Sequence, residues 1–317
     1  MNQRVKQHLR ITVIGAGVFG GYHANKCAAN PRVEFVGIYD PDLERAKIHA
    51  EKHNVEAFDD FQVMLAQTDA VVIASPADTH GAMALTALEA GKHCLIEKPI
   101  ASTLKDAARI VQLAQETKLI VQVGHQERFV AKAIGLDNLP QIPENIVSRR
   151  LSTFSERGTD VSVTLDLMTH DLDLVLMLMG ELPKEVKGQT RFENSNHADF
   201  SRGELRFENG TAKLTASRLE DDFLRTMDIT YPSGTVHIDF NAKTLTHNTP
   251  FALNENFGEY PSAKDSLGAA SEAFISAILD GTPIPVTALD GYNALKLALV
   301  IDGEEKWDNR DAAKKES

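Results

Sequence analysis

Lys98, in the tripeptide Glu97-Lys98-Pro99, and the pair Asp166 and His170, four residues apart, have the types and spacing needed to oxidise an alcohol. Taking hydride from a secondary alcohol carbon requires that the hydroxyl proton leave to a base. His170, with an ordinary pKa of about 6.5, is suited to accept that proton at neutral pH. Asp166, one helical turn earlier, would orient the imidazole and stabilise its protonated form. Lys98 would hydrogen-bond the reacting oxygen and stabilise the developing alkoxide. In a helix over 164–179, Asp166, His170 and Asp173 share one face and Asp171 points elsewhere. Alone, that stripe also fits the solvated face of an amphipathic helix, and Lys98 fits a surface lysine at a strand end. Their company on this chain favours chemistry.

The hydride needs an acceptor, and the first thirty residues hold a site for one. The run ITVIG leads into Gly15-Ala16-Gly17-Val18-Phe19-Gly20 and then a helix. Gly15 allows a tight turn, Gly17 lets the backbone approach a pyrophosphate, and Gly20 lets helix and strand pack closely. Asp40 follows at the end of the second strand-like run, where a carboxylate binds adenosine ribose hydroxyls and repels a 2′-phosphate. NAD is therefore expected over NADP, with Arg45 as the residue that would admit NADP. Asp40 also fits a helix cap ahead of Pro41, and the second helix is predicted to be capped at Asp40 or Asp42.

Rival chemistries lack their motifs: there is no GxSxG elbow, no Walker-type GK[ST] and no HExxH. Asp166 and His170 have no obvious third ligand, so no metal is expected. Cys27 and Cys94 stand apart, without CxxC spacing, and read as buried free thiols.

The elements that must position these residues are legible from the patterning. Between residues 9 and 123, the apolar runs LRITVIG, VEFVGIY, DAVVIAS, KHCLIEK and LIVQVG alternate with amphipathic stretches. That alternation predicts an α/β fold with βαβ units and a parallel sheet covered on both faces, an N-terminal domain over 1–123. Ligands bind such sheets at the carboxyl edge, where Lys98 falls. After Gly124 the rhythm changes. IVSRRLSTFS and strand-like runs over 186–248, punctuated by Asn209-Gly210 and Ser233-Gly234, predict a second α/β domain over 124–317. Its sheet is mainly antiparallel and open, with helices on one face and the other left for solvent or a partner subunit. Two helices, near 265–280 and 289–304, follow.

With 317 residues the chain is long enough for two cores, and its formal charge of −12 argues against nucleic acid or an anionic membrane as partner. No apolar stretch reaches the roughly twenty residues of a membrane span, and MNQRVKQHLR lacks a signal-peptide core, so a cytoplasmic protein is expected.

The segments GAGVFGGYH, ASPADTHGAMALTALEAGKHCLIEKP, GHQERF and DLMTHDLD resemble the glucose-fructose oxidoreductase, inositol dehydrogenase and rhizopine-catabolism (Gfo/Idh/MocA) family. The resemblance spans nearly the whole chain. It implies an N-terminal Rossmann domain and a second domain whose open sheet forms a homodimer or homotetramer interface. It also implies Lys98, Asp166 and His170 as the catalytic group. Ser75, Thr79, His80 and Glu97 would lie along the nicotinamide half of the cofactor, with Gln126 and Arg128 at the mouth of the substrate pocket. His80 fits equally a partner for a helix N-terminus, and Arg128 an interdomain ion pair. DLMTHDLDLVLMLMG is most similar to members that oxidise the 3-hydroxyl of UDP-N-acetylglucosamine, toward an amino sugar for lipid A. A diphosphate would need cations, for which Arg128, Arg149, Arg150 and Arg157 are the candidates. Arg149 and Arg150 alternate on a strand, so at most one faces the pocket. The alternatives are a dehydrogenase of a cyclitol or free sugar, an NAD-dependent glycosidase, and a non-catalytic dinucleotide sensor.

Overall fold

The computed structural model describes residues 8–156 and 158–308. The chain divides into two units. One runs through Gly124 and takes in Leu267–Tyr292, and the other takes His125–Ser266 and the chain from Asn293. The contiguous division at 123/124 differs from this by the segment that returns to the first unit.

The first unit is a doubly wound parallel sheet. Its strands are β1 (Leu9–Ile14), β2 (Val33–Tyr39), β3 (Glu56–Phe58), β4 (Ala70–Ile73), β5 (His93–Ile96) and β6 (Val121–Val123), in the order β3-β2-β1-β4-β5-β6. β1 and β4 are buried on both faces, which suits their runs of Val and Ile. The helices are α1 (Val18–Ala29), α2 (Leu43–His53), α3 (Phe61–Gln67), α4 (His80–Glu89) and α5 (Leu104–Thr117). Side chains start three of them: Asp42 accepts from the Glu44 and Arg45 amides, Asp60 from Gln62 and Val63, and Thr103 from Asp106. β3 escaped the sequence reading because three residues carry no period.

The helix Ser266–Asp280 packs on this unit through a register that the sequence pattern alone leaves open. Ala270, Ser271, Phe274, Ile275 and Ala277 are buried, and Phe274 and Ile275 join the core of Leu9, Ile11, Ile38, Val72 and Leu95. Each large side chain buried there contributes roughly 1.5–3 kcal/mol. Polar contacts fix the rest: the Gln122 amide donates to the Ala270 carbonyl, and Arg32 reaches Glu272 at 3.0 Å and Asp280 at 2.6 Å. Cys27 and Cys94 are free and buried, and burial pushes the Cys27 thiol up to about 12.

The second unit starts with α6 (Glu127–Ile134) and β7 (Asn145–Leu151). A wide turn of helix, Thr164–Met168, leads into α7 (Thr169–Met179). Then come β8 (Glu185–Arg191), β9 (Phe200–Arg206), β10 (Thr211–Ser217), β11 (Leu224–Tyr231), β12 (Gly234–Asp239) and β13 (Thr244–His247). The seven strands run β13-β12-β11-β7-β10-β9-β8, antiparallel except where β7 meets β10. Hairpins turn at Asn209-Gly210 and Ser233-Gly234, as their sequences predict. One face carries buried Ile146, Leu214, Met227, Ile229 and Ile238, while Arg149, Arg202, Glu204, Arg206, Lys213 and His237 stand on the other. Among the described residues no helix is long and apolar enough to cross a membrane.

Candidate active site

The glycine turn lies where the strand order reverses, between β2 and β4 on either side of β1, the crevice in which such sheets bind ligands. Gly15 has φ +99°, and a Cβ there would come within 2.6 Å of the Ala74 carbonyl oxygen. Only glycine fits. A Cβ at Gly20 would overlap the Gly15 carbonyl, so helix and strand lie as close as their backbones allow. Gly17 differs, because a Cβ there would meet nothing within 4 Å. Protein packing does not require that glycine. It leaves open space before the start of α1, which no side chain caps, and Val18 and Phe19 begin that helix half exposed. An open, uncapped helix start is what a pyrophosphate requires.

Asp40 is buried and braces this turn. One carboxylate oxygen accepts the Ala16 amide at 2.9 Å and the other accepts the Asp42 amide at 3.0 Å. Asp42, not Asp40, caps α2. The Asp40 carboxylate has lone pairs left for a ribose, so the residue both shapes the turn and suits an NAD-type ligand. Asp40→Ala is expected to weaken NAD binding about tenfold or more, and NADP binding less, as nicotinamide-cofactor titrations would measure. Equal weakening of both would assign Asp40 to turn geometry alone.

At the ends of β4 and β5 the residues singled out from the sequence form a connected set. Thr79 Oγ1 donates to the Pro76 carbonyl at 2.7 Å, so the Ser75 hydroxyl, 2.7 Å away, donates to Thr79. His80 is buried, with Nδ1 2.7 Å from the Pro99 carbonyl and Nε2 2.9 Å from the Ser75 carbonyl. A neutral ring serves one of these acceptors and an imidazolium serves both. His80 thus ties the segment after β4 to the Lys98–Pro99 segment, whose peptide is cis. Lys98 is partly exposed. Glu97 is buried, and its carboxylate lies 2.8 Å from His23 Nε2. Burial works to raise the Glu97 pKa, but the bond to His23 and the charges of His23, Lys98 and His80 outweigh it and hold the carboxyl below its ordinary value. Gly124 makes room, since a Cβ there would sit 2.8 Å from a Glu97 oxygen. The sequence reading missed His23, although its place in GAGVFGGYH, on the turn after Gly20, was a usable signal.

In the second unit Asp166 stands in the wide turn and His170 at the start of α7. The Thr169 amide returns to the Thr164 carbonyl, five residues back, so the uniform helix expected over 164–179 is unwound by one residue under Asp166. Such turns recur at functional sites. Asp302, from the end of the helix Ala288–Ile301, secures it by accepting from Ser162 Oγ at 2.5 Å and from the Thr164 hydroxyl. Burial pushes the Asp302 carboxyl up, against those two bonds. The His170 ring meets His125 edge-to-face at 6.0 Å. A Cβ at Gly158 would lie 2.9 Å from Asp166 Oδ2. Asp166 and His170 are both partly exposed.

Asp173 does not join them. It is fully buried and takes Arg128 in a two-pronged pair, Nε to Oδ2 at 2.6 Å and Nη2 to Oδ1 at 2.7 Å. Arg128 thereby links α6 to α7 within one unit. Asp171 is also buried, held by Arg150 at 2.8 and 3.1 Å, and Arg150 reaches Glu127 at 3.2 Å. Burial opposes the Arg150 charge, but Asp171 and Glu127 outweigh it and raise its pKa. Arg149 points to the opposite face and lies 3.4 Å from Asp228. The Gln126 amide oxygen accepts from Ser266. Arg157 lies outside the described residues.

Fold and site define a nicotinamide-dependent oxidoreductase, and comparison with known proteins agrees. Residues 9–125 match the oxidoreductase family with an NAD-binding Rossmann fold, and residues 142–237 match the GFO/IDH/MocA C-terminal domain. UDP-N-acetylglucosamine 3-dehydrogenase of Acidithiobacillus ferrooxidans is 34% identical over 311 residues, 93% of this chain and 96% of that protein. A solved structure of that enzyme superposes with a TM-score of 0.85 at 33% identity, covering 94% of this chain and 97% of the other. The scyllo-inositol 2-dehydrogenase (NAD(+)) of Bacillus subtilis is 29% identical over 206 residues, 60% of each chain. The chain belongs to the Gfo/Idh/MocA family of oxidoreductases. Its first unit carries the NAD-binding Rossmann domain.

Proposed function

We propose that the protein is a nucleotide-sugar dehydrogenase that oxidises the 3-hydroxyl of UDP-N-acetylglucosamine with NAD. The observation that carries this reading is the 34% identity to an enzyme of that name across 93% of the chain. In this reading His170 takes the hydroxyl proton. Asp166, on the wide turn held by Asp302, orients the imidazole and stabilises its protonated form. Lys98 stabilises the alkoxide as it develops, on a segment that the His80 bridge holds in place. Nicotinamide, when bound, supplies the hydride acceptor. Ser75, Thr79 and Glu97 line the nicotinamide half, and the Glu97 carboxylate is kept ionised by His23.

A second reading, a dehydrogenase of a cyclitol or uncharged sugar, draws support from the pairing of Arg128 and Arg150 with carboxylates of their own unit, which removes two cations expected to meet a diphosphate. NADH formation with purified protein separates the two. Turnover with UDP-N-acetylglucosamine, and at least about a hundredfold less with myo-inositol or glucose, is expected. Turnover with myo-inositol alone would move the assignment to the second reading.

The protein is further proposed to work in the cytoplasm, as a homodimer or homotetramer joined through the outward face of the second unit's sheet. That face carries interspersed charges of both signs, including Arg149, Asp228 and His237 in one cluster. Light scattering should give a multiple of the chain mass, and an Arg149→Glu substitution should lower it. A monomer at micromolar concentration would contradict this.

A further inference from the structure

We propose that Arg225 is the cation that receives the diphosphate of the substrate, an assignment that rests on the nucleotide-sugar reading. β11 pairs with β7 so that Arg225 lies directly opposite Arg150. Both therefore project to the helix-covered face of the second sheet, and Asp166 is near enough to act electrostatically on Arg225. Three of the arginines expected to meet a diphosphate are committed. Arg150 is forked onto Asp171 and touches Glu127, Arg128 is forked onto Asp173, and Arg149 faces the other way toward Asp228.

Arg225 is the exception. Among the described residues no carboxylate lies within 4.0 Å of its guanidinium, which instead lies 5.0 Å from the centre of the Phe223 ring. Phe223 is 59% exposed, so this cation and its aromatic support open to solvent. Two guanidiniums opposite one another on neighbouring strands repel, and a half-buried cation without a counter-ion is costly. Burial and Arg150 lower the pKa of Arg225, and Glu127, Asp171 and Asp166 offset this only from a distance. An incoming diphosphate would supply the missing counter-charge and match the planar fork with paired oxygens. No motif marks Arg225 in the sequence. It stands out only when the partners of its neighbours are known.

The competing role is structural, with Arg225 balancing the excess carboxylates around Arg150. Calorimetric titration of the NAD-loaded protein with UDP and with uridine distinguishes the two. UDP is expected to bind the wild type, Arg225→Met to weaken UDP about 10- to 100-fold, and uridine to bind both proteins equally weakly. UDP affinity unchanged in Arg225→Met would overturn the assignment while leaving the nucleotide-sugar reading in place. A wild type that neither binds UDP nor oxidises a UDP-sugar would remove that reading and the assignment with it. Should Arg225→Met not fold, Arg225→Gln is expected to show the same loss, and unchanged UDP affinity there would equally overturn the assignment.

Discussion

Replacing His170 with asparagine is expected to cut turnover about a thousandfold while leaving NAD affinity within about a factor of two, because the proton acceptor is lost and the dinucleotide cradle belongs to the other unit. Lys98→Met should behave in the same direction, with a loss of about a hundred- to a thousandfold, since it removes a charge placed for the alkoxide. The two losses should not add, because groups that serve one transition state act as a unit. A double variant is expected to be little worse than the poorer single one. Initial rates of NADH formation at saturating NAD, with cofactor affinity taken from fluorescence titration, measure both effects. Normal turnover in either single variant would remove that residue from the catalytic set.

Asp173→Leu should destabilise the second unit by about 3–5 kcal/mol, because it strands a buried guanidinium whose two prongs it now satisfies. Arg128→Met, which strands the carboxylate instead, should cost a similar amount. The double substitution Arg128→Met with Asp173→Leu is expected to recover much of the loss, since an apolar pair leaves no charge unpaired. Midpoints of denaturant unfolding measure all three. An Arg128→Met protein of unchanged stability but raised KM for substrate would assign Arg128 to the pocket mouth instead of to this structural pair.

Much of the molecule can be read before its structure is known. The glycine turn was legible because strand, turn and helix follow one another locally and each glycine has a separate steric reason. Strands buried on both faces were legible as short runs of Val and Ile, and the hairpins as Asn-Gly and Ser-Gly. Lys98, Asp166 and His170 stood out because three reactive types recur in a pattern that packing alone does not require.

What stayed hidden depends on partners distant in sequence. Asp173 sits at the spacing that should place it beside His170, and only Arg128, 45 positions away, turns it into a buried structural anion. The wide turn at Thr164–Met168 breaks the helical count and is held by Asp302, 138 positions beyond Thr164. The helix Ser266–Asp280 has an apolar stripe that fits either unit, and nothing in its periodicity says that Phe274 and Ile275 enter the first. Arg225 was missed for the same reason: that none of the described carboxylates pairs with it is a fact about its neighbours, not about residue order.

The most direct test of the account is hydride transfer itself. With UDP-N-acetylglucosamine carrying deuterium at C3 and excess NAD, the reduced cofactor should carry that deuterium, and a UDP-linked 3-keto sugar should accumulate with it in equal amount. Reduced cofactor without deuterium would place the oxidation at another carbon, and no reduced cofactor from this sugar while myo-inositol is oxidised would contradict the nucleotide-sugar assignment.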